Sequence, residues 1–186
     1  MERERAQDAV ISVLGDLGLT LASSSEIDEG HALARRLIGP ALAPASRLHQ
    51  AQAYTGACCF AFREGPGLTG IFAFLLLNTA GLDAVIRGQF DPGDPQHQLL
   101  ARATQAPAGY FGWAFAGSTQ LARRTVVTGA EQARRVALPV IPFFCHAATP
   151  AGRRAVTEKL GYVAHGGVDP ELLWSPPIGR GLERAA

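Results

Sequence analysis

Charge of one sign is what this sequence most plainly lacks. Its 17 Lys and Arg side chains stand against 16 Asp and Glu, a formal net charge of +1 at pH 7. That leaves no broad electrostatic footprint for nucleic acid. Lysine is nearly missing, Lys159 being the one ammonium side chain beside many arginines. Cysteine is scarce and odd in number: Cys58, Cys59 and Cys145, two of them adjacent in an apolar run. This excludes a disulfide framework and predicts buried, reduced thiols in a cytoplasmic protein. No stretch approaches the ~20 uninterrupted apolar residues of a membrane span, so no membrane partner is expected. The Met1-Glu-Arg-Glu-Arg5 start has no long apolar stretch behind it, so no secretory signal is expected either. No Cys/His spacing suits zinc, no metal site is expected, and no internal repeat is visible.

Glycine and proline are plentiful, 21 and 12 in 186 residues, and they punctuate the chain. A chain of this length predicts one domain, 1–186, with a helical part over 1–50, a core over 54–165 and a tail over 166–186. Ala6, Val10, Val13, Leu14 and Leu17 recur at helical spacing and predict a helix over 3–19 ending at Gly18. Ser23-Ser24-Ser25-Glu26 reads as a cap for a second helix, stopped by Gly39-Pro40. Residues 40–52 show no clear pattern. Tyr54–Arg63 and Leu68–Leu77, separated by Glu64-Gly65-Pro66-Gly67, predict an antiparallel hairpin, although Leu68–Leu77 also suits a buried helix. Thr79–Gln89 is a short helix candidate capped by Thr79. Asp91-Pro-Gly-Asp-Pro95 is a loop, and Gln96–Thr104 a further short helix candidate.

The last third is the most informative. Tyr110–Phe115 predicts a strand running into Ala116-Gly117-Ser118-Thr119, where a helix starts; Thr128-Gly129 weakens the middle of that helix. Val140–His146 predicts a second strand, followed by a helix with Thr149 as N-cap and Pro150 at its first position. Gly161 stops that helix, and Tyr162 starts a final strand. Two helix N-termini thus follow two apolar strands. Their unpaired N–H groups suit an anion such as a pyrophosphate. The strands should be parallel, joined by a right-handed crossover, within a mixed sheet flanked by helices.

This order, with Thr149-Pro-Ala-Gly-Arg-Arg-Ala-Val-Thr-Glu-Lys-Leu-Gly-Tyr162, resembles the GCN5-related N-acetyltransferase (GNAT) superfamily, most clearly over residues 109–165. The resemblance implies an α/β fold: a mixed, mostly antiparallel sheet with helices on both faces and a splayed parallel strand pair near the C-terminus. It also implies acetyl-CoA or another acyl-CoA as cofactor and a small-molecule amine or other acceptor. The pantetheine arm would lie between 110–115 and 140–146, and the pyrophosphate on the turn after the first. On this basis Trp113, Phe115, Ala116, Gly117, Ser118, Thr119, Thr149 and Arg153 are the expected cofactor-binding residues. The chain departs from the family at two points. The turn carries only Gly117 where the family spaces several glycines, with Arg123 or Arg124 as substitute charges from the next turn. Thr157 stands where many members place a proton-donating tyrosine. An alternative is therefore a catalytically silent member that binds CoA or an acyl carrier. Dimers are common in the family, and the apolar tail around Trp174 is compatible with a homodimer.

Acyl transfer to an amine needs a neutral nucleophile and a protonated leaving thiolate. His146 at a strand end is the first candidate base, since an unperturbed histidine titrates in the physiological range; its alternative is an exposed structural histidine. His97 and Glu64 are further candidates, and Thr157 stands at the proton-donor position. Arg153 and Arg154 at a helix start invite a phosphate, or form a solvated helix face. Trp113 and Phe115, two apart on one strand, are expected to share a face of the core.

Overall fold

The computed structural model describes residues 6–40 and 42–178. In chain order the elements are α1 (Ala6–Gly15), β1 (Leu19–Leu21), α2 (Ser24–Ile38), α3 (Ala45–Thr55), β2 (Cys59–Glu64), β3 (Gly67–Leu77), α4 (Thr79–Ile86), β4 (Gly109–Gly117), α5 (Gln120–Gln132), β5 (Phe143–His146), α6 (Pro150–Arg154), β6 (Val163–Ala164) and β7 (Leu172–Ser175). Both α5 and α6 run on into a π-helical turn, Ala133–Ala137 and Ala155–Lys159. All seven strands form one sheet in the order β1-β2-β3-β4-β5-β7-β6. Only β4 and β5 are parallel; every other neighbouring pair is antiparallel. The expected α/β class holds, including the mostly antiparallel sheet and the parallel pair.

Helices cover both faces. Ile27 and Leu33 of α2, Leu48 of α3 and Val85 of α4 join Ile71, Ala73 and Leu75 of β3 in one core. Val10 and Leu14 of α1, Val126 and Ala130 of α5, and Val156 join Phe72, Phe74 and Leu76 in the other. β3 is therefore buried on both sides, which is why its sequence is an unbroken apolar run rather than an alternation.

Local chemistry explains several boundaries. Ser23 caps α2 in a full capping box: its side chain accepts from the Glu26 N–H while Glu26 accepts from the Ser23 N–H at 2.9 Å. Gly56, at φ 75°, ends α3, so Tyr54 belongs to that helix and the strand begins only at Cys59. The cap of α4 is Asn78, not Thr79; its Oδ1 accepts from the Gly81 N–H at 2.9 Å. The helix candidate over 96–104 reduces to one 3₁₀ turn, His97–Leu99, after which Leu100 bridges Leu77. The first helix stops at Gly15, and Leu19–Leu21 is a strand; residues 3–5 and 179–186 lie outside the described chain. α5 runs unbroken through Gly129, which lets the helix approach Leu19, whose Cδ1 would lie 2.6 Å from an added Cβ. The tail residues Leu172, Leu173 and Trp174 are a strand, β7, inserted between β5 and β6.

Candidate functional site

The sheet opens between β4 and β5. Their pairing runs from Tyr110–Phe143 through Gly112–Cys145 and then stops, while β4 continues to Gly117. Beyond Gly112, the β5-facing edge of β4 is therefore left without a strand partner. Such an edge presents free backbone N–H and C=O groups. A bulge marks the place. Ala73 pairs with Ala114 and Phe74 with Gly112, so Trp113 is the extra residue. The bulge breaks the two-residue alternation. Trp113 consequently packs on the α2 side and Phe115 on the α5 side, so the two do not share a face.

A groove occupies this opening. Its widest stretch, about 330 Å³, runs between Phe115–Gly117, Val126 and Val127 of α5, Leu37 and Ile38 of α2, and Thr149, Gly152, Ala155 and Val156. Ile38, Phe115, Thr149, Gly152 and Val156 also wall a narrower stretch of about 100 Å³, which reaches Cys145 and His146. Gly112, Trp113 and His146 are shared in turn with an outer, half-open chamber of about 150 Å³, bordered by Pro92 and Gly93. At the opposite end Arg123 and Val127 lead onto an open surface that also carries Arg124 and Lys159. No carboxylate pairs with Arg123, Arg124 or Lys159 among the described residues. The passage is thus basic at one mouth and apolar along its length, with a histidine at the other end.

Of the residues expected to bind cofactor, Trp113, Phe115, Ala116, Gly117 and Thr149 line this passage. Ser118, Thr119 and Arg153 do not. The expected four-residue turn shrinks to Ser118 and Thr119, because Ala116 and Gly117 remain in β4. Ser118 donates from both its N–H and its hydroxyl to Thr69 O, at 2.8 and 3.2 Å. Thr119 caps α5, its Oγ1 accepting from the Ala122 N–H at 3.0 Å, and its hydroxyl donates to Glu64. The Glu64 carboxylate therefore already stands at the positive end of the α5 dipole. Unpaired positive charge lies one turn further on, at Arg123 and Arg124. Gly117 is required by packing: an added Cβ would lie 2.6 Å from Arg123 N and 2.8 Å from Ala122 C. Arg153 is bound to Glu171 at 2.6 Å. Thr157 donates its hydroxyl to Arg153 O at 2.9 Å and does not line the passage.

His146 has a partner that the sequence pattern did not disclose. Its Nε2 lies 2.7 Å from Asp169 Oδ2, and its ring meets Phe111 edge-on at 5.5 Å. Partial burial raises the Asp169 carboxyl, but hydrogen bonds from the Glu171 N–H and from His146 outweigh it, and the group lies below its ordinary value. Asp169 sits in the Gly- and Pro-rich segment before β7; only the pairing of β7 with β5 brings it to His146. His97 instead stacks on Tyr54, ring centroids 5.0 Å apart.

Cys58 and Cys59 lie away from the groove, and Cys145 borders its narrow stretch as a buried thiol. Cys145 turns into the core behind His146, as strand alternation requires. Burial pushes its thiol up to about 12 and pushes Cys58 well above its ordinary value. The native protein should show none of its three thiols to Ellman's reagent at pH 8, and all three in guanidinium. A rapidly reacting native thiol would contradict the burial. No group of His, Cys, Asp and Glu able to hold a metal occurs among the described residues. No helix among them is long and apolar enough to cross a membrane. Compared with known proteins, the chain matches no protein family and no curated protein.

Proposed function

We propose that this protein is an acyl-CoA-dependent acyltransferase of the GNAT kind, moving the acyl group directly, most simply an acetyl group, to the nitrogen of a small amine. The observation that carries the reading is the passage itself: a basic mouth, an apolar run beside a free strand edge, and a histidine at the far end. Acyl-CoA has the same sequence of chemistries along its length. Its phosphates match Arg123, Arg124 and Lys159. The two amides of its pantetheine arm can pair with the free β4 edge as an added strand would. The thioester then reaches the bulge at Trp113, close to His146. There a backbone N–H can polarise the carbonyl, and His146 can take a proton from the attacking amine. With three free buried cysteines, a reducing compartment, the cytoplasm, suits the chain.

Calorimetric titration with acetyl-CoA tests this reading. Micromolar binding is expected, followed by thiol release when amine is added. The absence of binding at millimolar ligand would sink it. His146→Gln should lower kcat about 100-fold, with acetyl-CoA affinity changed less than twofold; unchanged turnover would remove His146 from the chemistry.

A second reading, binding without turnover, draws on two observations. Thr157 is committed to its own helix, and the β4–α5 turn is only two residues long. A protein that binds acetyl-CoA tightly and releases no thiol with any amine would be of this second kind.

A further inference from the structure

The outer chamber carries information about the acceptor. We propose that it receives a small primary amine on an uncharged, apolar body, and that Asp169 positions His146 to deprotonate it. This rests on the acyl-CoA reading above and adds the class of substrate and a positioning residue.

The chamber walls are Leu42, Ala43, Pro92, Gly93, Trp113 and the rear of β4, with His146 as the one titratable side chain among the described lining residues. A carboxylate or phosphate on the acceptor would shed part of its water against these walls and meet no Lys or Arg among the described lining residues, which is costly. Arg47, near the same loop, is already held by Asp94 at 2.7 Å. The loop wall is itself fixed, since Asp91 Oδ1 accepts from the Gly93 N–H at 2.7 Å. The volume, about 150 Å³, equals that of about five liquid waters, so the body is a short alkyl chain or a single ring.

The His146–Asp169 contact selects the tautomer. An ionised carboxylate can only accept, so Nε2 carries the proton and Nδ1 keeps the lone pair. That lone pair takes one proton from the incoming ammonium and later passes it to water. The freed amine nitrogen bonds to the thioester carbonyl carbon, the C–S bond breaks, and the second amine proton goes to the departing thiolate. The charged groups around His146 are Asp169 and Glu171 before β7, Arg153 of α6 paired with Glu171, and Asp91 and Asp94 of the loop; β4 presents only Phe111 and Trp113.

The test is a thiol-release assay with acetyl-CoA and amines paired on one carbon skeleton, differing only by the carboxylate: pentylamine against norleucine, 2-phenylethylamine against phenylalanine. The uncharged-bodied partner should show at least tenfold higher kcat/KM in each pair. Asp169→Asn should lower kcat at least tenfold without raising the KM for acetyl-CoA, and Asp169→Glu, which keeps an accepting carboxylate, should recover much of that loss. A merely structural Asp169 would give no such split between kcat and KM and no rescue by glutamate. Acetyl-CoA binding with equal or better use of the amino acids would overturn this inference alone. No acetyl-CoA binding would overturn it together with the proposed function. A thermal melt of Asp169→Asn checks folding, and the wild-type amine pairs decide the substrate class without any variant.

Discussion

Reversing two charges at the mouth of the groove, Arg123→Glu with Arg124→Glu, is expected to weaken acetyl-CoA binding by at least 100-fold. Both side chains are exposed, border the opening and have no carboxylate partner among the described residues. Each charge-assisted contact to a phosphate is worth roughly 1.5–3 kcal/mol. Losing two therefore removes about 3 kcal/mol or more, a factor of roughly 100 or above. Folding should not suffer, since no ion pair is broken, and Tm should stay within experimental error. Two controls localise the effect. Acetyl-pantetheine, which lacks the phosphates, should bind wild type and variant alike. Arg87→Glu, after α4 on the opposite face of the sheet, should leave affinity unchanged. Affinity of the wild type should also fall with added salt, as exposed charge contacts are screened. Full acetyl-CoA affinity in the double variant would place the phosphates elsewhere and remove the basic mouth from the argument.

The second large effect concerns stability. Gly117→Ala should destabilise the protein by about 3 kcal/mol, the upper part of the range for overpacking. At this chain length that corresponds to a fall in Tm of about 6–12 °C. Gly117 stands opposite Gly70 on β3, and the first turn of α5 rests on this pair. An added Cβ would meet the backbone of Arg123 and Ala122 at 2.6–2.8 Å, and backbone cannot rotate away as a side chain can. The helix must lift, and the groove wall at Val126 and Val127 moves with it. Thermal unfolding followed by circular dichroism reads the effect. Ser118→Ala, which loses one exposed hydrogen bond at 3.2 Å, should change Tm by no more than about 1 °C. A Gly117→Ala protein that keeps its Tm but loses acyl-CoA affinity would show that the glycine serves the ligand and not the helix.

These two residues also separate what is local in this protein from what is not. Ser23 with Glu26, Thr149 with Pro150, and Gly39-Pro40 announce helix ends because each acts through atoms within four residues of itself. The apolar runs of β3 and β4 are legible for a similar reason: burial on both faces requires them whatever lies beyond. From these signals alone follow the mixed α/β class, the strand–helix–strand–helix order of the last third, and an aromatic strand beside His146.

Other features depend on distant partners. A glycine before a helix reads equally as room for a ligand or room for a helix, and only the 2.6 Å distance to Arg123 N separates the two. The bulge at Trp113 exists because β3 and β4 differ by one residue in register, so no periodicity within β4 places Trp113 and Phe115 on opposite faces. Thr119 would be a free anion site but for Glu64, which is 55 residues away and arrives at the end of β2. Asp169 reaches His146 only through β7, a strand drawn from a tail rich in glycine and proline. The sequence by itself thus determined several helix ends, the strand–helix order of the last third and the apolar strands, because those depend on near neighbours and on burial; β1, α3 and β7 emerged only in the fold. The tertiary structure alone decided where the groove opens, which positive charges remain unpaired at its mouth and what holds its histidine, because each of these is a meeting of residues far apart in the chain.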